Sequence, residues 1–565
     1  MHYTHNPCQP SRTPLSTLPS PSFVNFAKPI AALAVYNSGG EVEMRLKWLS
    51  LVIILVLSCA IASADTSARQ PFEQVNWSTP PNVIDAQVIP ALAKQGAKLR
   101  SSCSDGVFVR RVYLDAIGTM PTPAEVDAFL KDQSPNKRAK LIDNLLSRDE
   151  FVDYWTMKWC DLLRVKSEFP VNLWPDAVQA YHRWIHDAIR DNRPYNQFAR
   201  EMLTSSGSNF RVPPVNFYRA VQGRDPSSIA KVVALTFMGT RFDRWPKARQ
   251  DAMSVFFSKV AYKKTDEWKE EIVYLNPEAR KPLKTTFPDG TAVTIPYDAD
   301  PRQVFADWLL APNNKWFSRN IVNRIWAWTM GHGIIHEPDD IRPDNPPASP
   351  ELLVCLEKEL VKSNYDLKHI YRLILNSRTY QQSSIPNNDT ANAKIQFAHY
   401  TVRQIDAEVL IDALDWIGGT TENYSSPIPE PYTFIPKDQR TIALADGSIT
   451  SSFLTTFGRP SRDTGLWSER NNQPNDTQRL YMLNSSDIQR RIERSPRLRP
   501  IFSSVWRNQS AAIGKIYLVM LSRYPTPDET SAAEKYFRTK GLQPRQAAID
   551  LAWSLVNSKE FLYRH

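Results

Sequence analysis

Proline outnumbers glycine in this chain by 43 to 18, and that ratio narrows the folds open to it. Proline fixes its own φ and has no N–H to give a sheet ladder, so it belongs in the first turn of helices and in stiff connections. Scarce glycine argues against phosphate-cradling loops. A chain of many short helices with rigid joints is expected. "PTPAEVDAFLKD" supplies one such start, with Thr122 as N-cap, Pro123 at N1 and Glu125 at N3, a capping box. "KRAKLIDNLLSRDEFVDYWTMKWCDLLRV" continues with apolar residues at helical spacing. "AVQAYHRWIHDAIRDNRPYNQFAREMLTSSG" reads as two helices parted at Pro194.

At 565 residues the chain is too long for one ordinary core, which stops growing at roughly 250–300 residues. Its 23% charged and 42% hydrophobic residues are those of a globular protein. Between Tyr262 and Asp300 the pattern changes, and Asp289-Gly290 sits between β-favouring runs, a hairpin signal. The fold class expected is mainly α, two helical domains over 65–262 and 301–565 joined by a short hairpin-containing connection over 263–300. Residues 418–474 form a long, polar, Pro-rich stretch, and two helices are expected to close the sequence. Tyr113-Leu114 before "PTPAE" recurs as Tyr517-Leu518 before "PTPDE". Each copy runs through an Ile-Asp pair to a Glu-Phe ending, at Glu150-Phe151 and Glu560-Phe561. Either one helical unit is used twice and packed as a pair, or two helix starts share their chemistry.

"MRLKWLSLVIILVLSCAIASAD", from Met44 to Asp65, has a basic n-region, an apolar h-region and a small-residue Ala62-Ser63-Ala64 cleavage site. A signal peptide over 44–64 and an extracytoplasmic location, periplasmic or secreted, are expected, with residues 1–43 an upstream extension outside the folded protein. The alternatives are an uncleaved anchor, or a lipoprotein ending at Cys59, the latter ranked below simple secretion because Leu57 is large for a lipobox. The apolar run is short for a transmembrane span, and no later segment is long and uncharged enough for one. Beyond it stand Cys103, Cys160 and Cys355, an odd count that allows one disulfide at most. No C-x-x-C occurs, so the chain has neither a c-type haem attachment signature nor a thiolate zinc site. The net charge of +10 is mixed with acids along the chain, so no nucleic-acid partner is expected.

Four stretches carry candidate chemistry. "LTFMGTRFDRWPKARQD" crowds Arg241, Asp243, Arg244 and Trp245 between Gly239 and Pro246, a binding candidate without a nucleophile. "MGHGIIHEPDDIRPDNPP" gathers His332, His336, Glu337, Asp339, Asp340 and Asp344. His332, His336 and Asp339 are candidate ligands for a divalent metal, and Asp339 with Asp340 a candidate acid/base pair; turn and cap chemistry is the plainer reading. "RNIVNRIWAW" puts Asn320, Asn323 and Arg324 on one helical face, with Arg324 a catalytic or anion-binding candidate beside that loop. "WSERNNQPNDTQRL" forms a second polar knot of Glu469, Arg470, Asn471 and Asn472. His182 and His186 have i,i+4 spacing but lack the Glu of H-E-x-x-H, and read as groove histidines beside Trp184. Walker, Rossmann and G-x-S-x-G patterns do not occur.

"RRVYLDAIGTMPTPAEVDAFL", "NRPYNQFAREMLT", "DPRQVFADWLLAPNNKWFSRNIVNRIWAWTMGHGI", "DLKHIYRLILNSRTYQ", "DAEVLIDAL", "ERNNQP" and "NSKEFLYRH" follow one another in an order that resembles a known family. It is the planctomycete-type secreted proteins that pair a cytochrome-like PSCyt domain with a PSD domain of unknown function. The resemblance runs from about Val107 to His565. It implies export, a mostly helical two-domain architecture and an unestablished function, associated with bacteria that digest complex polysaccharides. Family members place a C-x-x-C-H-x-H-P segment between an "LG" helix end and an "FD-x-W" motif. Here "FMGTR" runs straight into Phe242-Asp243-Arg244-Trp245. Haem is therefore disfavoured, no cofactor is predicted, and a divalent metal stays open. Asp243, Arg244 and Trp245 become corner-packing residues, with Arg241 paired to a carboxylate. His332 and His336 do not match family ligand positions. The function expected is a non-haem binding or assembly component linked to polysaccharide degradation, with a carbohydrate or protein partner in the cell envelope. The alternatives are a metal-dependent or acid/base hydrolase on the 332–344 loop and, less favoured, a redox protein; whether the chain is an enzyme stays open.

Overall fold

Prolines and small polar caps decide where the helices begin. Thr122 and Thr526 each close a capping box, with Glu125 and Glu529, and Pro123 and Pro527 open the helices behind them. Pro175, Pro226, Pro301, Pro350 and Pro544 take first-turn positions in the same way. The computed structural model describes residues 71–277, 281–386 and 397–565. The upstream extension and the leader over 44–64 lie outside these residues. Helices hold about 52% of the chain and the strands are two to five residues long, so the fold is mainly α. Among the described residues no helix is long and apolar enough to cross a membrane.

The hairpin forms where the sequence places it. Leu283–Thr286 pairs antiparallel with Ala292–Ile295, and Gly290 turns between them at φ +93°. Just before it, Glu271–Leu275 pairs with Val260–Lys264 on one side and Gly207–Ser208 on the other, in a small three-stranded sheet. One continuous apolar core runs from Ile84 to Phe561 through the helices on both sides of the hairpin. The described residues fall in one compact unit.

The repeated Tyr-Leu…Pro-Thr-Pro units do pack as a pair. Gly118 and Ser522, at matching positions, both end their helices in the left-handed region, at φ +57° and +59°. The Tyr524 hydroxyl donates to Asp127 at 2.7 Å, and Arg110 donates to the carbonyls of Met520 and Phe561 at 3.0 and 2.8 Å. The last strand, Tyr563–Arg564, pairs with Arg403–Gln404.

After residue 474 the chain makes seven short helices where two were expected. Asn475, Ser485, Asn508, Thr526 and Ser558 each cap a new start, and Pro500, Pro527 and Pro544 sit in first turns. Apolar spacing alone runs across these breaks. All three cysteines beyond the leader are free thiols, Cys103 and Cys160 buried and Cys355 half-buried.

Thr122→Ala removes the hydroxyl that accepts from the Glu125 N–H and is expected to cost about 1 kcal/mol of stability, with Thr122→Ser nearly neutral. Urea unfolding of the two variants checks this.

Candidate functional site

The Pro226–Val233 helix, capped by Asp225, widens into a π-turn over Ala234–Met238 and stops at Gly239, φ +62°. Glycine is required there: a Cβ would stand 2.5 Å from Asn320 Oδ1 and 3.0 Å from the Pro338 carbonyl. Two hydrogen bonds hold this closeness, Ile341 N–H to the Gly239 carbonyl at 2.8 Å and Asn320 Nδ2 to the Thr236 carbonyl at 2.7 Å. The Leu235–Asp251 stretch therefore docks on the acidic loop and on the Lys315–Met330 helix, two features that lie far from it in sequence.

Charges seal the contact. Arg241 meets Glu337 at 2.6 Å and Arg244 meets Asp340 at 2.7 Å. Arg342 reaches Asp340 at 3.2 Å and Asp344 at 2.7 Å. Arg324, buried, holds Asp339 at 2.6 Å, and the second Asp339 oxygen accepts the Trp467 N–H. Each carboxylate of the loop thus faces a guanidinium. The expected pairing of Arg241 is present. Of the residues expected to pack the corner, Trp245 does so beside buried Phe242, whereas Asp243 turns out to solvent and pairs with Lys231 at 2.6 Å and Arg244 is half-exposed.

His332 and His336 stack on one another, ring centroids 3.8 Å apart. Asp339 is turned toward Arg324 and away from any shared coordination with them. Among the described residues no group of three or more His, Cys, Asp or Glu is arranged to hold a metal ion. The haem that a cytochrome-like domain implies does not fit the Gly239 corner, which offers neither thiol nor imidazole and has no room for even a methyl group. His182 and His186 lie 6.2 Å apart on their helix, half-buried. Burial and then Arg462 press His182 down to about 3, while Asp153, 3.4 Å away, raises His186.

Between the docked stretch and the hairpin lies an open cleft of about 910 Å³. Trp245, Trp308 and Trp316 stand half-buried in its wall. Their orientations are fixed: Trp245 Nε1 donates to Thr240 Oγ1 at 3.1 Å and Trp308 Nε1 to Asp289 Oδ2 at 2.9 Å. Phe287 stacks on Trp308 at 5.1 Å, and Trp308 lies 5.6 Å from Trp316. Arg249 covers Trp245 at 4.0 Å. The hairpin, read from sequence as a connection, supplies part of this wall through Asp289.

A second, smaller pocket of about 190 Å³ opens where Lys158, Asp406 and Trp467 meet. Asp406 precedes the Ala407–Gly418 helix but makes no cap bond; its carboxylate turns to Lys158 at 2.9 Å, Arg564 at 2.6 Å, the Tyr154 hydroxyl at 2.9 Å and Asn472 at 2.7 Å. Burial alone would raise its pKa, and Lys158, Arg564 and Arg470 reverse that and hold it well below the ordinary value. Arg470 bridges Asp161 and Glu408, both at 2.7 Å, and Glu408, though buried, is held at about 2 mainly by Arg470. Asp115 receives Arg403 at 2.6 Å, Arg564 at 3.0 Å, and the Tyr380 and Tyr400 hydroxyls. Lys158 is lowered to about 8 by burial and by Arg470, against Asp406. Of the predicted knot, Arg470 and Asn472 enter this pocket. Glu469 instead accepts from the backbone of Asp463, Thr464 and Gly465, and Asn471 shapes a turn against Gly458. Lys158, Asp161, Arg403, Asp406 and Arg564 were not read as site residues. The one sequence signal was a lysine inside the aromatic run Tyr154–Trp159.

Residues 83–261 match the family model PSCyt2, a protein of unknown function (DUF1549), and residues 301–537 match PSD1, a protein of unknown function (DUF1553). The chain thus carries both domains, PSCyt2 before PSD1. No curated protein and no solved structure matches it.

Asp406→Asn leaves Lys158 and Arg564 buried with a neutral partner, and a loss of about 3–5 kcal/mol is expected in urea unfolding. Glu408 sits below its ordinary value of 4.5, so its contribution is complete above about pH 4.5 and fades as pH falls toward about 2. Melting temperature followed from pH 7 to pH 3 should drop on the acid side, with a shallower drop in Glu408→Gln.

Proposed function

We propose that the protein is an exported carbohydrate-binding component, with the tryptophan cleft as its recognition surface. The observation that carries this reading is the set of three half-buried indoles, two of them held by hydrogen bonds and the third set against Trp308, among arginine, aspartate and asparagine side chains in a cleft of about 910 Å³. Flat aromatic faces suit the C–H faces of sugar rings, and the polar groups between them suit hydroxyls. Export rests on the leader over 44–64 and on the family resemblance. Polysaccharide breakdown is the setting the resemblance suggests, and binding or assembly is the role.

The hydrolase alternative draws less support. Its carboxylates, Asp339 and Asp340, are both paired with guanidinium groups, and Asp339 has both oxygens engaged. A general acid/base pair needs one carboxyl free to exchange its proton.

Binding to soluble polysaccharides, neutral and acidic, is measured by affinity electrophoresis and titration calorimetry. At least one polymer should bind saturably, and Trp245→Ala and Trp316→Ala should each weaken it tenfold or more, with the melting temperature lowered by only a few degrees. A full panel without retardation or heat removes the reading. Protein expressed from Met44 should begin at Asp65 after export, as N-terminal sequencing would report.

A further inference from the structure

The pocket beside Lys158 carries more positive charge than its own carboxylates answer. Lys158, Arg324, Arg403, Arg470 and Arg564 line it, against Asp161 and Asp406. The layer behind does not close the gap. Asp115, Glu408 and Asp339 add three carboxylates, but Arg459 and Arg462 add two further cations, so the cluster keeps two positive charges in excess. Excess buried charge is costly unless a counter-ion meets it.

Unanswered donors mark the same place. Arg324 Nε, Arg403 Nη1 and Arg564 Nε are buried without a hydrogen-bond partner, although Arg324 and Arg564 are only 2% and 3% exposed. Buried guanidinium donors normally find acceptors, and an oxyanion offers several at once. Asn472 Oδ1 is an unanswered acceptor in the same lining, which a hydroxyl would satisfy. Half-buried Trp328 and Trp467 add flat walls. At about 190 Å³ the pocket has the room of roughly six waters, enough for one small molecule and too little for a chain.

We propose that this pocket is a ligand site for a carboxylate or sulfate carried on a small hydroxylated body of monosaccharide size, with Arg324, Arg403, Arg564 and Lys158 receiving the anion. It stands whether or not the tryptophan cleft takes a polymer. Removing Arg403 or Arg564 would strip Asp115 of a partner, so the test uses two gentler variants. Lys158→Met leaves Asp406 bound to Arg564, Tyr154 and Asn472. Gln473→Glu puts a negative charge on an exposed residue of the pocket lining, outside the buried ion pairs.

Titration calorimetry on the full chain, at constant ionic strength in chloride, compares sodium D-glucuronate, D-glucose and sodium sulfate. One glucuronate per chain is expected, with glucose at least tenfold weaker. Lys158→Met and Gln473→Glu should each weaken glucuronate tenfold or more while keeping a cooperative melt. The proposal is overturned by absence of saturable heat from both glucuronate and sulfate, or by variants that melt cooperatively and bind as the parent does. Sulfate binding as tightly as glucuronate, with the same losses in the variants, keeps the oxyanion site and overturns the hydroxylated body.

Discussion

Arg470 is the hinge of the electrostatics: it takes Asp161 from the first family region and Glu408 from the second, each at 2.7 Å. Around it the same exchange repeats. Lys158, on the Asp149–Leu162 helix, finds its carboxylate on Asp406, and Asp115, on the Asp105–Ala116 helix, finds its cations on Arg403 and Arg564. Taking such charges out of water costs several kcal/mol per ion, which only a nearly complete set of partners recovers. Neither region holds that set alone. A PSCyt2 half without its PSD1 half would lose the Asp406 partner of Lys158 and the Arg462 and Arg470 partners of Asp161, so the two regions pack as mutual requirements. The hairpin joins two parts that the network has already made one body.

This dependence also explains why Arg564, the penultimate residue, sits in the interior at 3% exposure. The short strand Tyr563–Arg564 pairs with Arg403–Gln404, and the pairing sets Arg403 opposite Arg564. Two guanidinium groups side by side would repel, but Asp115 lies between them and accepts from both, joined by the Tyr380 and Tyr400 hydroxyls. The last strand and the Asp105–Ala116 helix are thereby locked together, a contact that the paired Tyr-Leu…Pro-Thr-Pro units reinforce through Arg110 and Tyr524.

What could be read in advance follows from the range of the interaction. Capping boxes at Thr122 and Thr526, the split at Pro194 and the hairpin at Asp289-Gly290 are settled by residues within a few positions of one another, and each is present. The count of helices after residue 474 was not legible from apolar spacing, because Ser, Asn and Pro restart the chain without breaking that spacing. The site was legible in parts. Arg241, Arg324 and Arg470 each signalled a partner, but the partners are 96, 15 and 309 residues away, and no local pattern names them. Lys158 and Asp406 carry no local signal of one another, since their meeting depends on packing between the two family regions.

The corner at Gly239 is held by one backbone hydrogen bond and two ion pairs across to the acidic loop. The resemblance expects a thiol- and imidazole-bearing stretch between the helix end and Phe242, and here only Thr240 and Arg241 separate Gly239 from Phe242. The helix ends in a π-turn at Gly239, and the acidic loop packs directly against that end: its Ile341 N–H donates to the Gly239 carbonyl, and its Glu337 and Asp340 take Arg241 and Arg244. The loop with its carboxylates and histidines is thus the counter-surface of the Gly239 corner, with its acids neutralised by the arginines around it. Neutralised acids and buried guanidinium groups are poor bond-breaking machinery, but they hold walls still. The tryptophans beside them gain fixed orientations at little entropic cost on binding, which is the condition under which a shallow aromatic cleft discriminates among ligands.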